Sequence, residues 1–214
     1  LAEKLVELHP WADMVRFARA GGEINSIAVR IARAYTGRDK IAICGYHGWH
    51  DWYLSTNLNS DKNLDGHLLP GLQPNGVPRG LTGTTLPFDY NNIGQLEKLI
   101  KANHGKIAAI KMEVSRNKGP EDNYLQKVRD LATENNIVLI FDECTSGFRE
   151  IFGGLHKKYG VEPDLAVFAK ALGNGYAISA CIGRKKIMQA AQQTFISSTF
   201  WTERIGPAAA LKTL

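Results

Sequence analysis

Short, almost unbroken apolar runs alternate with segments of helical period along most of this chain, and that alternation constrains the fold more than any other feature. Lys40 to Cys44, Ile107 to Met112, Ile137 to Phe141, Leu165 to Phe168 and Ser179 to Gly183 each read as a strand with little polar interruption. Strands apolar on both faces belong to parallel sheets covered by helices on either side. The intervening segments supply those helices. After Gly21-Gly22, the residues Ile24, Ile27, Ala28, Ile31 and Tyr35 fall on one helical face, and Gly37 stops the helix. Asn92 is placed to cap a helix with Leu96, Leu99 and Ile100 on its apolar side. Leu125, Val128 and Leu131 mark another, and a further helix is expected from Lys185 to about Gln193. The fold class expected is α/β, a mostly parallel sheet flanked by helices, in one domain over residues 1–214.

The ends read as helices, over Leu1 to Leu8 and Pro207 to Leu214, and the first residue is not Met. The chain therefore reads as a piece of a longer one. The stretch 57–87 is the least regular, with eight Gly or Pro residues from Gly66 to Gly83, and no chemistry is assigned to it.

Composition excludes several classes. No apolar run reaches the ~18–20 residues of a membrane-spanning helix. The opening residues do not resemble a basic-then-apolar leader. The net charge of +5 is dispersed, as on a solvated basic surface, and no nucleic-acid partner is expected. Cys44, Cys144 and Cys181 are odd in number and lack metal-type spacing, so reduced thiols in a cytoplasmic protein are expected.

Four segments carry candidate chemistry. Asp142-Glu143 follows an apolar strand, at the carboxyl end where α/β sheets bind ligands, or is an ordinary helix cap or loop ion pair. Lys170 follows the strand Leu165 to Phe168 and precedes Ala171-Leu172-Gly173-Asn174-Gly175. A partly desolvated lysine there is suited to Schiff-base chemistry; the alternative is a lysine snorkelling at a strand end. Ala20-Gly21-Gly22-Glu23 opens a helix and can present free N–H groups to a phosphate, or is a glycine-rich helix entry. It is neither a P-loop nor a dinucleotide fingerprint, which argues against an NAD-type dehydrogenase. Tyr46-His47-Gly48-Trp49-His50-Asp51 could place an aromatic on a planar cofactor. His47 and His50 have no third ligand at metal spacing, and no metal is expected.

In this order, the segments resemble the class III aminotransferases. That family carries a Ser-Gly-Thr-Glu-like phosphate loop, then Tyr-His-Gly, Phe-Asp-Glu-Val with Gly-Phe-Arg, and Pro-Asp-Leu with a Lys and a Gly-x-Gly run. Here these read Ala20-Gly21-Gly22-Glu23, Tyr46-His47-Gly48, Phe141-Asp142-Glu143-Cys144 with Gly147-Phe148-Arg149, Pro163-Asp164-Leu165 and Lys170 to Gly175. The Asp142-to-Lys170 interval also suits the family, and Ser198-Thr199-Phe200 resembles its Thr-Phe segment. The pattern looks closest to the glutamate-1-semialdehyde aminomutase branch, through Ala32 to Arg38 and the Tyr46 motif. Three departures stand out: Gly22 replaces a hydroxyl residue, Cys144 replaces Val, and Glu113-Val114-Ser115 lacks the family's Pro.

The resemblance implies the large domain of a fold type I transferase that uses pyridoxal 5′-phosphate (PLP), with a small C-terminal domain and an N-terminal segment beyond it. It implies Lys170 as Schiff-base lysine and proton carrier, and Asp142 as partner of the pyridine nitrogen. Gly21 and Gly22 are implied at the phosphate, Tyr46 and Cys144 on opposite ring faces, and His47 near the cofactor. Asn117 is implied near the ring hydroxyl, and Thr199 at the phosphate of a neighbouring subunit. The implied partners are small-molecule amine and carbonyl substrates and a second copy in a homodimer with shared sites. Intramolecular amino transfer of the aminomutase type and a non-catalytic scaffold derived from the family are the alternatives. The piece alone is expected to be inactive or nearly so.

Overall fold

A computed structural model describes residues 1–67, 69–115 and 117–214, with Thr199 described through its backbone only. Seven strands form one sheet: β1 (Met14–Ala18), β2 (Lys40–Cys44), β3 (Thr85–Pro87), β4 (Ile107–Glu113), β5 (Val138–Glu143), β6 (Leu165–Phe168) and β7 (Ser179–Gly183). Their order is β1-β7-β6-β5-β4-β2-β3. Only β7 runs against its neighbours β1 and β6; the pairs from β6 through β3 are parallel. The helices are α1 (Ala2–Leu8), α2 (Gly21–Thr36), α3 (Asp51–Leu54), α4 (Ile93–Ala102), α5 (Tyr124–Glu134), α6 (His156–Tyr159), α7 (Lys185–Met188) and α8 (Ile205–Thr213).

Side-chain alternation sorts the strand residues onto two faces. Ile41, Ile43, Ala109, Val138 and Ile140 pack with Ile24, Ile27, Ala28 and Ile31 of α2. Ala42, Cys44, Ile110, Met112, Leu139 and Phe141 pack with Leu96 and Ile100 of α4 and Leu125 and Val128 of α5. Each such fully buried Ile or Leu contributes roughly 1.5–3 kcal/mol. A third cluster joins Leu5, Trp11, Phe168, Ile182, Phe200 and Ala210. By the same alternation Lys111 and Asp142 belong to the α2 face, and Glu143 to the other.

The caps follow their residues. Asn92 Oδ1 accepts the Gln95 N–H at 3.1 Å. Gly37 closes α2 with φ +67°, a left-handed conformation that glycine adopts without steric penalty. Two expectations are corrected. Tyr35 is exposed instead of buried on α2: the buried face of the helix ends at Ala32, and the Tyr35 ring meets the Lys186 ammonium. The helix expected from Lys185 to Gln193 is α7 followed by a tighter 3₁₀ turn over Gln189–Gln192. The stretch 57–87 holds 3₁₀ turns and β3. Asn57 ties it down, donating to Leu72 O at 2.6 Å and accepting from the Leu64 N–H at 3.0 Å. His67 Nδ1 accepts the Gly45 N–H at 2.9 Å, which brings the loop to the end of β2.

Candidate active site

The carboxyl ends of β2, β4, β5 and β6 meet the start of α2, and most of the candidate residues gather there. Lys170 follows β6 in a left-handed backbone, φ +45°. Such a conformation costs a non-glycine residue about 1–2 kcal/mol and persists where surrounding packing imposes it. It turns the side chain out of the sheet into a cleft of ≈ 710 Å³ lined by Gly21, Cys144, Arg149 and Lys170. A second hollow of ≈ 510 Å³, lined by Tyr46, Glu113, Asn117, Thr145, Arg149 and Lys170, adjoins it. Lys170 is exposed, contrary to the partial desolvation expected from the strand preceding it. Its Nζ donates to Thr145 Oγ1 at 2.7 Å.

Asp142 is enclosed beneath this cleft, 3 % exposed. Its Oδ2 accepts from His47 Nδ1 at 2.8 Å, and its Oδ1 accepts the Cys144 N–H at 3.0 Å. The Lys111 Nζ lies 4.0 Å from Oδ2. Burial alone would raise this carboxyl; Lys111, the His47 N–H and the Cys144 N–H outweigh it and hold Asp142 well below the usual carboxylate range. Burial lowers His47 to about 4 against the pull of Asp142. His47 is therefore a neutral donor to an anion at pH 7, and Trp52 stacks on it at 6.4 Å. The expected place of His47 at the cofactor is thereby refined: fully buried, it touches Asp142. Cys144 is a protonated thiol, pushed well up by burial and by Asp142.

The start of α2 explains a departure in the phosphate loop. A Cβ on Gly22 would stand 2.9 Å from His50 Nε2. The imidazole occupies the room a side chain at position 22 would need. Ser26 fixes it: Ser26 Oγ donates to Gly22 O at 3.0 Å, so it accepts from His50 Nδ1 at 2.7 Å and from Trp52 Nε1 at 3.1 Å. Gly48, φ +99°, permits this approach, since its Cβ would lie 3.2 Å from Gly22 Cα. Gly22→Thr is expected to displace His50 and cost about 0.5–1.5 kcal/mol, the worth of the Ser26–His50 bond. A double-mutant cycle with His50→Ala, read by urea unfolding, checks this; purely additive effects would contradict it.

Two further carboxylates, given no role of their own from the sequence, complete the site. Glu113 Oε2 accepts the Tyr46 N–H at 3.0 Å. Glu143, on the opposite face from Asp142, bonds Ser146 Oγ, the Leu155 N–H at 3.0 Å and His156 Nδ1 at 2.7 Å. That buried carboxylate anchors the loop bearing Thr145 and Arg149. Asn117 lines the hollow with Lys170; the side chain of Thr199 lies outside the described residues. His47 and His50 are bound to Asp142 and Ser26, and among the described residues no cluster has the makings of a metal site. No described helix is long and apolar enough to cross a membrane.

The family pattern of the class III aminotransferases matches residues 1–214. This chain belongs to the class III aminotransferases. Among related proteins of this class, the 3-aminobutyryl-CoA aminotransferase of Cloacimonas acidaminovorans is 39 % identical over 221 residues, covering 100 % of this chain and 49 % of that protein. The glutamate-1-semialdehyde 2,1-aminomutase of Methanococcus vannielii is 38 % identical over 225 residues, covering 100 % and 51 %. The chain thus spans about half the length of the curated relatives it matches. Its fold is that of solved transaminases. It matches an omega-transaminase from Sphaerobacter thermophilus with TM-score 0.83 and 29 % identity, covering 100 % of this chain and 52 % of that one. It matches the PLP internal aldimine form of the Sphingopyxis sp. MTA144 FumI protein with TM-score 0.84 and 27 % identity, covering 99 % and 49 %. The class III aminotransferase fold accounts for the mostly parallel sheet with its flanking helices.

The buried charge of this chain has a measurable pH signature. His47 titrates near 4 in the folded protein and near 6.5 when unfolded. The unfolded chain binds more protons between those values, so the stability contributed is complete above pH 6.5 and is lost as pH falls towards 4. The depressed Asp142 acts in the same direction. A loss of about 3 kcal/mol is expected from His47. Urea unfolding between pH 7 and 4.5 should show a shallower decline in His47→Asn than in the parent; equal slopes would contradict the assignment.

Proposed function

We propose that this chain is the PLP-binding domain of an aminotransferase that moves an amino group between an amine or amino acid and a carbonyl compound. The observation that carries the reading is the placement of Lys170. It stands on a strained backbone in one cleft with Gly21 and Cys144, and the Cys144 N–H is bonded to the buried Asp142 carboxylate. These residues fit the cofactor. The sixteen-residue α2 presents the N–H groups of Gly21 and Gly22 to a phosphate. Asp142 offers the ring nitrogen a charge-assisted hydrogen bond. Lys170 supplies the amine for the aldehyde. Bound PLP supplies the electron sink for the carbanion formed at the substrate carbon.

The protein's own groups do the rest. Tyr46 and Cys144, which line the two hollows meeting at Lys170, would hold the ring. The Lys170 amine would be the group that holds and moves the proton at the reacting centre. Thr145 holds that amine by the 2.7 Å bond. Asn117, which lines the hollow with Lys170, would hold the ring hydroxyl, and Thr199 would serve the phosphate of the partner in a cytoplasmic homodimer. The exposed Trp49 and Phe195 are apolar surface suited to such a second copy.

The aminomutase relatives favour a second reading, intramolecular amino transfer on one substrate. The two differ in demand: the transferase needs a separate carbonyl acceptor, the aminomutase none. After treatment with PLP and removal of the unbound cofactor, the purified protein is expected to retain a visible absorption band that Lys170→Ala lacks. No band in the parent protein would overturn the cofactor assignment.

A further inference from the structure

One buried group stands outside the function just described. Lys111 lies in the middle of β4 with its side chain 0 % exposed, on the sheet face that packs against α2. Its Nζ has no hydrogen-bond partner. An ammonium in that position is costly unless a charge answers it. The answering charge is the Asp142 carboxylate, 4.0 Å away. The register explains the meeting: β4 and β5 pair in parallel with Lys111 opposite Ile140 and Glu113 opposite Asp142.

We propose that Lys111 is a positioning residue acting through Asp142: its charge draws on the carboxylate that would hold a proton on the ring nitrogen of bound PLP, and so weakens that hold. The inference rests on the cofactor reading above. Asp142 serves three groups before any ligand arrives, namely the His47 N–H, the Cys144 N–H and the Lys111 ammonium. A carboxylate already answered by a cation has less negative potential left for a pyridinium. The protein therefore tunes the ring nitrogen from beneath, at a position that never touches substrate.

The surroundings leave few other groups able to do this. The titratable neighbours of Lys111 are Asp142, Cys144 after β5, Cys181 on β7 and Glu113 on its own strand. Both thiols are raised by burial, Cys181 to about 12, so they stay neutral. Glu113 points its carboxylate to the Tyr46 N–H. His47 is neutral at pH 7. The buried residues of α2 are Ile24, Asn25, Ile27, Ala28, Val29, Ile31 and Ala32, none of them charged. Burial lowers the basicity of Lys111 itself, against the pull of Asp142.

The test is the ¹⁵N NMR shift of ring-labelled PLP bound to the protein, titrated with pH in the parent, K111M and K111R. Methionine keeps the length of the stem and removes the charge; arginine keeps the charge. The ring nitrogen of K111M is expected to stay protonated about one pH unit higher than in the parent, as for loss of one nearby charge. K111R is expected to follow the parent. K111Q serves the same comparison if K111M does not fold. Identical titrations in the parent and the neutral variants would overturn the role of Lys111. So would K111R behaving like K111M, since shape and not charge would then matter. A parent protein that takes up no labelled PLP would overturn the cofactor reading and this inference together, and that outcome is distinct from uptake without a Lys111 effect.

Discussion

Lys170→Ala, made in a chain extended to the length of its relatives, is expected to lower amino-group transfer by about 10²–10⁴-fold or more while leaving stability within about 0.5 kcal/mol. The two halves of this expectation have separate causes. Lys170 is exposed and makes one side-chain hydrogen bond, to Thr145. Its removal takes little from the packing. On the proposed reading, its amine would bind the cofactor and carry the proton. Lys170→Arg sharpens the experiment, because it keeps the charge and a donor for Thr145 but not the nucleophilic amine. It too should be inactive. Lys170→Gly should in addition stabilise the fold by about 1 kcal/mol by relieving the left-handed backbone. A Lys170→Ala protein retaining a tenth or more of parental turnover would show that the lysine is structural.

Asp142→Asn should damage both activity and stability, and the structure allows the two to be separated. The amide cannot carry the charge that keeps a pyridine nitrogen protonated, so turnover should fall by about 10²–10³-fold. The amide also leaves the Lys111 ammonium buried with no answering charge, and breaking such a pair costs roughly 3–5 kcal/mol. Adding Lys111→Met should restore most of the stability, because the unanswered charge is then gone. It should not restore turnover. Urea unfolding and steady-state rates on the parent, both single variants and the double variant give the full cycle. Recovery of turnover along with stability would mean that Asp142 is a structural carboxylate only.

Much of this architecture was legible in the residues. The runs Ile137 to Phe141 and Leu165 to Phe168 are apolar on both faces, which only a covered parallel sheet accommodates, and β5 and β6 are its central strands. Both candidate residues at their ends reached the same site. β1 escaped notice because Arg16 interrupts its short run, and its side chain lies over the Trp201 ring instead of in the core. The environment of Asp142 escaped for a different reason. Nothing local in the run Ile107 to Met112 marks the partner of its one lysine, and only the β4–β5 register shows that it meets a carboxylate. Gly22 looked like a lost hydroxyl. It is an accommodation to His50, a contact between the first turn of α2 and a residue 28 positions on that no local pattern encodes. Lys170 was expected to be shielded by the strand before it, but the left-handed turn at that residue carries it into the open cleft.

Reduction with borohydride in the presence of PLP, followed by peptide mapping, tests the assignment of this site most directly. It fixes the cofactor covalently to whichever lysine holds it, independently of substrate and turnover. The pyridoxyl group is expected on the peptide containing Lys170 and on no other. Its recovery on Lys111, on a surface lysine, or on no lysine of a PLP-loaded protein would contradict the account.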